Sequence, residues 1–224
     1  AAATIFSKLA SMAKHETNPP QLNAILHTMK KILTKTDFGQ DESSNIALTF
    51  ATSLVKGELD YFGGLPLYSC QDEKTMIFYF IAAFIRKYPL LSSNICDVLV
   101  SCVSEVSDSI IPAILEPIEA AIHNGVYSHD VTNKLYHEII ELAKKLSVYE
   151  DEEQMVACFE ILSEIGRSHP DVFDHGHEIF ELIKSIIQEL DDEEEDDIIQ
   201  ELPPFGPIIR FSLELITLKF APIE

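Results

Sequence analysis

The chain reads as all-α: about ten helices in antiparallel pairs, stacked side by side into a right-handed α-α superhelix. Three observations lead there. Apolar residues recur at three-and-four spacing through most of the sequence, the signature of amphipathic helices. Short joints rich in Pro, Gly and Asn separate these stretches, and a joint of a few residues forces neighbouring helices antiparallel. A related pattern also returns along the chain. Arg86-Lys87-Tyr88-Pro89 and Arg167-Ser168-His169-Pro170 share the form Arg-x-x-Pro, 81 residues apart. Apolar residues follow each Pro at matching places: Val98, Cys102 and Val106 after the first, Ile179, Ile183 and Ile187 after the second. An intermediate unit near Asp130 supplies Ile139 and Ala143.

The pair within Asp151–Leu190 shows the pattern most fully. Glu150, Asp151, Glu152 and Glu153 crowd a first turn, where the helix dipole favours carboxylates. Met155, Cys158, Phe159, Leu162 and Ile165 share one face, and Pro170 cannot continue that helix. A second helix opens near Asp171 and turns Ile179, Ile183, Ile186, Ile187 and Leu190 inward. Each such pair keeps a spare apolar edge and therefore needs neighbours.

Upstream, Thr4–Lys14 carries Ile5, Phe6, Leu9 and Met12 on one face. Asn18-Pro19-Pro20 stops it and starts Gln21–Thr36, since Pro is tolerated in a first turn. Asp41–Lys56 is a third helix, using Ile46, Leu48, Phe50 and Leu54. Gly57–Ser69 breaks the rhythm with three glycines and Pro66, yet holds Leu59, Tyr61, Phe62, Leu65, Leu67 and Tyr68. It packs across helix ends or presents aromatics to a partner, and packing is the better expectation. Gln71–Tyr88 is apolar around most of its circumference and should be a central element. Ser92–Val106, Asp108–His123 (kinked at Pro117 and closed by Asn124-Gly125) and Asp130–Val148 complete the series. After Pro203-Pro204-Phe205-Gly206-Pro207, Ile208–Phe220 resumes an apolar helix that needs cover. The whole 1–224 reads as one helical-repeat domain. The opening Ala1-Ala2-Ala3 without Met suggests a piece of a longer solenoid, with further helices of its own chain beyond it.

A period near forty residues is that of HEAT and armadillo arrays. Ile110-Ile111-Pro112-Ala113-Ile114-Leu115 looks like the hydrophobic-Pro-x-hydrophobic-hydrophobic opening of a HEAT-repeat helix. Met155–Ile187, followed by an acidic loop, resembles in outline a repeat of an importin-β-like transport receptor. That resemblance implies a superhelical scaffold that binds cargo on its concave face.

The net charge is -21. Such a surface repels phosphate backbones, which argues against direct nucleic-acid binding, and attracts basic peptides, basic proteins or cations. Acidity could equally serve solubility alone. Cys70, Cys96, Cys102 and Cys158 show no zinc-ligand spacing and suit a reducing compartment, hence a cytoplasmic or nuclear location. No apolar run is long enough to span a bilayer, so no membrane partner is expected.

Asp191, Asp192, Glu193, Glu194, Glu195, Asp196 and Asp197 form an unbroken acidic run, which with the Pro-rich stretch makes a loop over 191–207. So dense a run is expected to be extended or disordered, as a solvated linker or a trap for a Lys/Arg-rich tail. It lacks the spacing of a calcium loop. On the second helix of each pair, Glu105, Glu138, Glu141, Glu178 and Glu181 could line a groove facing a basic ligand. His169, His175 and His177 lie near Asp171, Asp174 and Glu178, but residues two apart on a helix diverge, so no metal site is expected. No catalytic motif is present, and no cofactor is implied. The expected function is a non-enzymatic scaffold for a protein or peptide partner of basic character, as in a nuclear transport receptor. The alternative is an adaptor subunit of a translation, phosphatase or trafficking complex, in which the run is only a linker.

Overall fold

A computed structural model of the chain describes residues 2–35, 42–65, 75–103, 111–146, 152–171 and 177–193. Among them are nine α-helices and no strand: α1 Ala2–His15, α2 Pro19–Lys35, α3 Glu42–Val55, α4 Thr75–Lys87, α5 Ser93–Cys102, α6 Ile111–His123, α7 His129–Ala143, α8 Glu152–Ser168 and α9 His177–Glu193. None of these helices is long and apolar enough to cross a membrane. The chain divides into two compact units, 1–127 and 128–224.

Local chemistry sets the helix ends. Asn18 caps α2: its carbonyl accepts from the Leu22 amide at 2.9 Å and its side-chain oxygen from the Gln21 amide at 3.3 Å. Pro19 then occupies the first helical position, where its missing N–H costs nothing. Gly57 and Gly125 stop α3 and α6 in the same way. At φ of 70° and 63° both adopt the left-handed conformation that favours glycine. The amides of Gly57 and Glu58 turn back to the carbonyls of Leu54 and Ser53, and those of Gly125 and Val126 to Ile122 and Ala121. These reciprocal pairs satisfy carbonyls that the end of a helix leaves bare.

In the N-terminal unit each helix packs on its predecessor's predecessor as well as on its own partner. The contacts α2 to α4 and α4 to α6 make one layer, and α1 to α3 and α3 to α5 the other. The pairings α1–α2, α3–α4 and α5–α6 join the two layers. Helix α4 is the hub, as its apolar circumference leads one to expect: Ile77, Phe78 and every residue from Phe80 to Ile85 are buried. Phe80 takes Phe6 of α1 at 6.2 Å and Phe50 of α3 at 5.4 Å, the latter edge-to-face, the geometry that aromatic quadrupoles prefer. One polar tie joins α4 to α6 at their surface, where an Arg86 guanidinium nitrogen donates to Glu116 Oε1 at 2.8 Å.

The C-terminal unit is built around α7, with both α8 and α9 resting on it. Leu135, Tyr136, Ile139 and Ile140 of α7 meet a core that Phe159, Leu162 and Ile165 of α8 and Ile179, Leu182 and Ile186 of α9 complete. The main partner of α8 is α7 rather than α9, so the hairpin expected within 151–190 is a lesser contact than the one before it.

Three other expectations are corrected. α1 buries Phe6 and Ala13 while Ile5 and Met12 stand 52% and 58% exposed, because the small Ala13 lets the helix approach more closely than Met12 would. The joint after α8 is longer than expected, since α9 starts at His177 rather than near Asp171. Asp191, Asp192 and Glu193 continue α9 and are not part of an extended loop, because a formed helix adds residues cheaply once nucleated. Glu194, Glu195, Asp196 and Asp197, the Pro-rich stretch and the apolar segment 208–220 lie outside the described residues, as do 104–110 with Glu105. The break after α3 does pack, with Leu59 and Phe62 buried, although Leu65 is exposed.

Candidate functional site: the acidic C-terminal unit

Charge is distributed unevenly between the two units. Residues 1–127 carry nine Lys and Arg against thirteen Asp and Glu, a net of −4; residues 128–224 carry seven against twenty-four, a net of −17. Most of the protein's net negative charge therefore lies in the second unit.

Within it, the fold brings four of the sequence-predicted carboxylates onto two adjoining helices. Glu138 and Glu141 are three residues apart on α7, Glu178 and Glu181 three apart on α9, and each pair therefore shares a helix side. α7 and α9 pack together, and the Glu178 carboxylate reaches across to His137, with Oε2 3.0 Å from Nδ1. Two of the other acids are engaged along their own helix. Lys144 donates to Glu141 at 2.6 Å and holds its carboxyl below the usual range, and Lys184 lies 3.9 Å from Glu181. All of these side chains stay substantially exposed, so the charges remain available to a ligand at the price of displacing a neighbouring lysine.

The start of the acidic run sits where the helix itself is negative. Unpaired carbonyls give a helix C-terminus a partial negative charge, and the last turn of α9 adds Asp191, Asp192 and Glu193 with no basic residue. A cationic side chain would be drawn there by both.

At the opposite end of α7 lies a histidine cluster that the sequence reading assembled differently. His175 and the His177 side chain lie outside what the structure describes, so of the three only His169 is placed. His169 meets the His129 ring edge-on at 5.9 Å, and His129 Nε2 bonds the Asp171 carboxylate. That bond is the first reason the Asp171 carboxyl is held below its ordinary value. His129 and His137 escaped notice because their partners are more than forty residues away in sequence. No group of three or more His, Cys, Asp or Glu among the described residues is placed to hold a metal. Two of the thiols are poor nucleophiles: burial, followed for Cys96 by the Asp97 charge, pushes Cys96 and Cys158 up to about 12. Burial, and after it Glu178, raises the Tyr136 hydroxyl in the same way.

Comparison with known protein families, curated proteins and solved structures finds no match. The chemistry of the surface alone therefore has to indicate a role.

Proposed function

We propose that this chain is a non-enzymatic, HEAT-like helical scaffold that holds a basic protein or peptide against its C-terminal unit, in the manner of a nuclear transport receptor. The observation that carries this reading is the concentration of net −17 on residues 128–224, continuing into the run that ends α9. Fields of that sign raise the local concentration of a cationic ligand and speed its encounter. Alternating packing in the N-terminal unit supports the HEAT-like reading, because in stacked helix pairs every helix rests on the one two places earlier. The partner would sit outside the hydrophobic core, so binding would leave the fold unchanged.

The test is a titration of the full chain with a labelled Lys/Arg-rich peptide at two ionic strengths. Binding should weaken steeply as the Debye length shrinks from about 10 Å at 0.1 M salt to about 3 Å at 1 M. Replacing Asp191–Asp197 by Ser and Asn should weaken it further at low salt. Unchanged affinity in that variant would make the run a linker, as in an adaptor subunit, and salt-independent binding would remove the electrostatic reading altogether.

A further inference from the structure

The carboxylates of the N-terminal unit avoid two of its helices. Five of the nine Lys and Arg in residues 1–127 lie on α2 and α4, namely Lys30, Lys31, Lys35, Arg86 and Lys87. None of the thirteen Asp and Glu does. The two helices pack side by side in one layer, so their outer sides adjoin.

Burial fixes which side chains form that surface. On α2, Leu22, Ile25, Leu26, Met29 and Leu33 turn inward, which leaves His27, Lys31 and Lys35, at intervals of four, on an exposed stripe. Among the described side chains of α4 only Tyr79 and Arg86 are exposed, seven residues apart on one side of the helix. Lys30 joins the two helices. Its ammonium sits 5.0 Å from the centre of the Tyr79 ring, within reach of the negative face of the aromatic system.

These cations are lightly committed. Arg86 donates to Glu116 Oε1 of α6 at 2.8 Å, while no carboxylate among the described residues pairs with Lys30, Lys31 or Lys35. Helix ends account for part of the pattern: Lys35, Arg86 and Lys87 sit in last turns, where bare carbonyls favour positive charge. Lys30 and Lys31 precede the last turn of α2 and have no such reason to be basic. α6, next in the layer, brings Glu116 and Glu119 and bounds the basic area on its side.

We propose that the α2–α4 face binds an acidic peptide segment of another protein. Carboxylates of an extended segment meet Lys31 and Lys35 along α2 and reach across to Arg86, which exchanges Glu116 for the ligand. Lys30, already settled on the Tyr79 ring, supplies charge at the centre with less side-chain freedom left to lose. Packed helices lie about 8–10 Å apart and an extended residue spans about 3.3 Å, so about six to eight residues cover the face. A long nucleic-acid strand fits less well, because it needs a continued track of cations and meets Glu116 and Glu119 instead. The ligand is opposite in charge to the one proposed for the C-terminal unit, and its binding does not depend on that reading.

The experiment uses the full chain and a fluorescein-labelled peptide of about eight residues, Asp and Glu interleaved with Ser. The controls are the same peptide with Asn and Gln in their place, and a labelled single strand of DNA of equal length. Saturable anisotropy at low salt is expected for the acidic peptide alone. Lys31→Glu with Lys35→Glu reverses two exposed charges and should weaken it at least about tenfold, equivalent to 1.4 kcal/mol, while keeping the parent's circular dichroism. Lys8→Glu with Lys14→Glu makes the same change of net charge on α1, in the other layer, and should leave affinity within about twofold. Glu116→Gln frees Arg86 and should tighten binding. Neutralising Asp191–Asp197 should change nothing, which separates this site from the test of the C-terminal unit. Equal losses from the α1 and α2 pairs, or a neutral peptide that binds as well as the acidic one, overturn the proposal. So does tighter binding of the DNA, for then a nucleic acid is the ligand. A gain in affinity on neutralising Asp191–Asp197 overturns it too, for then the chain's own run is the occupant.

Discussion

The two units bury their interiors alike and dress their surfaces differently. In the first, helices meet around the rings of Phe6, Phe50 and Phe80, and the tie across the surface is Arg86 to Glu116. In the second, mostly aliphatic residues of α7, α8 and α9 pack around Tyr136 and Phe159, and ties include His129 to Asp171 and His137 to Glu178. One unit is close to neutral and the other carries most of the charge. The contrast teaches that stacking depends on apolar faces while the outer residues are free to specialise, so that a single architecture offers two electrostatic surfaces.

Substitutions should break this comparison in a graded order. The largest effect is expected from Phe80→Ala, which empties space at the junction of α1, α3 and α4. Losing a fully buried phenyl ring and leaving a cavity costs about 3–5 kcal/mol, read as a fall in the denaturation midpoint. Amide protection should drop within 2–127 first. Phe180→Ala, by contrast, removes a ring that is 55% exposed on α9 and should change stability by well under about 0.5 kcal/mol. Comparable losses from the two would mean that α9 has cover the helix packing does not reveal.

Arg86→Ala is the middle case. The pair is half in solvent, with side-chain exposures of 48% and 31%, so screening leaves it worth about 0.5–1 kcal/mol.

The smallest effect distinguishes the units by acid titration. Asp171 has its pKa lowered by His129, so the stabilisation it brings is present above the ordinary carboxylate value and disappears as pH falls through the lowered one. Nuclear magnetic resonance should place the Asp171 midpoint below that of a free aspartate, and His129→Asn should return it toward normal. A midpoint that ignores His129→Asn would show that the bond does not set it.

How much of this was visible in the sequence varied with the kind of information required. α4 could be found because Phe78, Phe80 and Phe84 leave it no polar side to turn outward. The helix stops could be found because Gly57 and Gly125 mark left-handed positions that chain chemistry alone dictates. The face of α1 could not. Ile5 and Met12 are larger than Ala13, and only the packing of α1 on its neighbours, chiefly α2, decides that a small residue belongs inside. Glu138, Glu141, Glu178 and Glu181 were picked out by helical spacing, yet their assembly on neighbouring helices needs the packing of α9 on α7.

The measurement that goes most directly to the heart of the account is hydrogen exchange of the full chain with and without a Lys/Arg-rich peptide at low salt. The account predicts new protection in α7, α9 and the acidic residues that follow, vanishing at high salt, with 2–127 unaltered. Protection confined to the N-terminal unit, or protection that survives high salt, would contradict it.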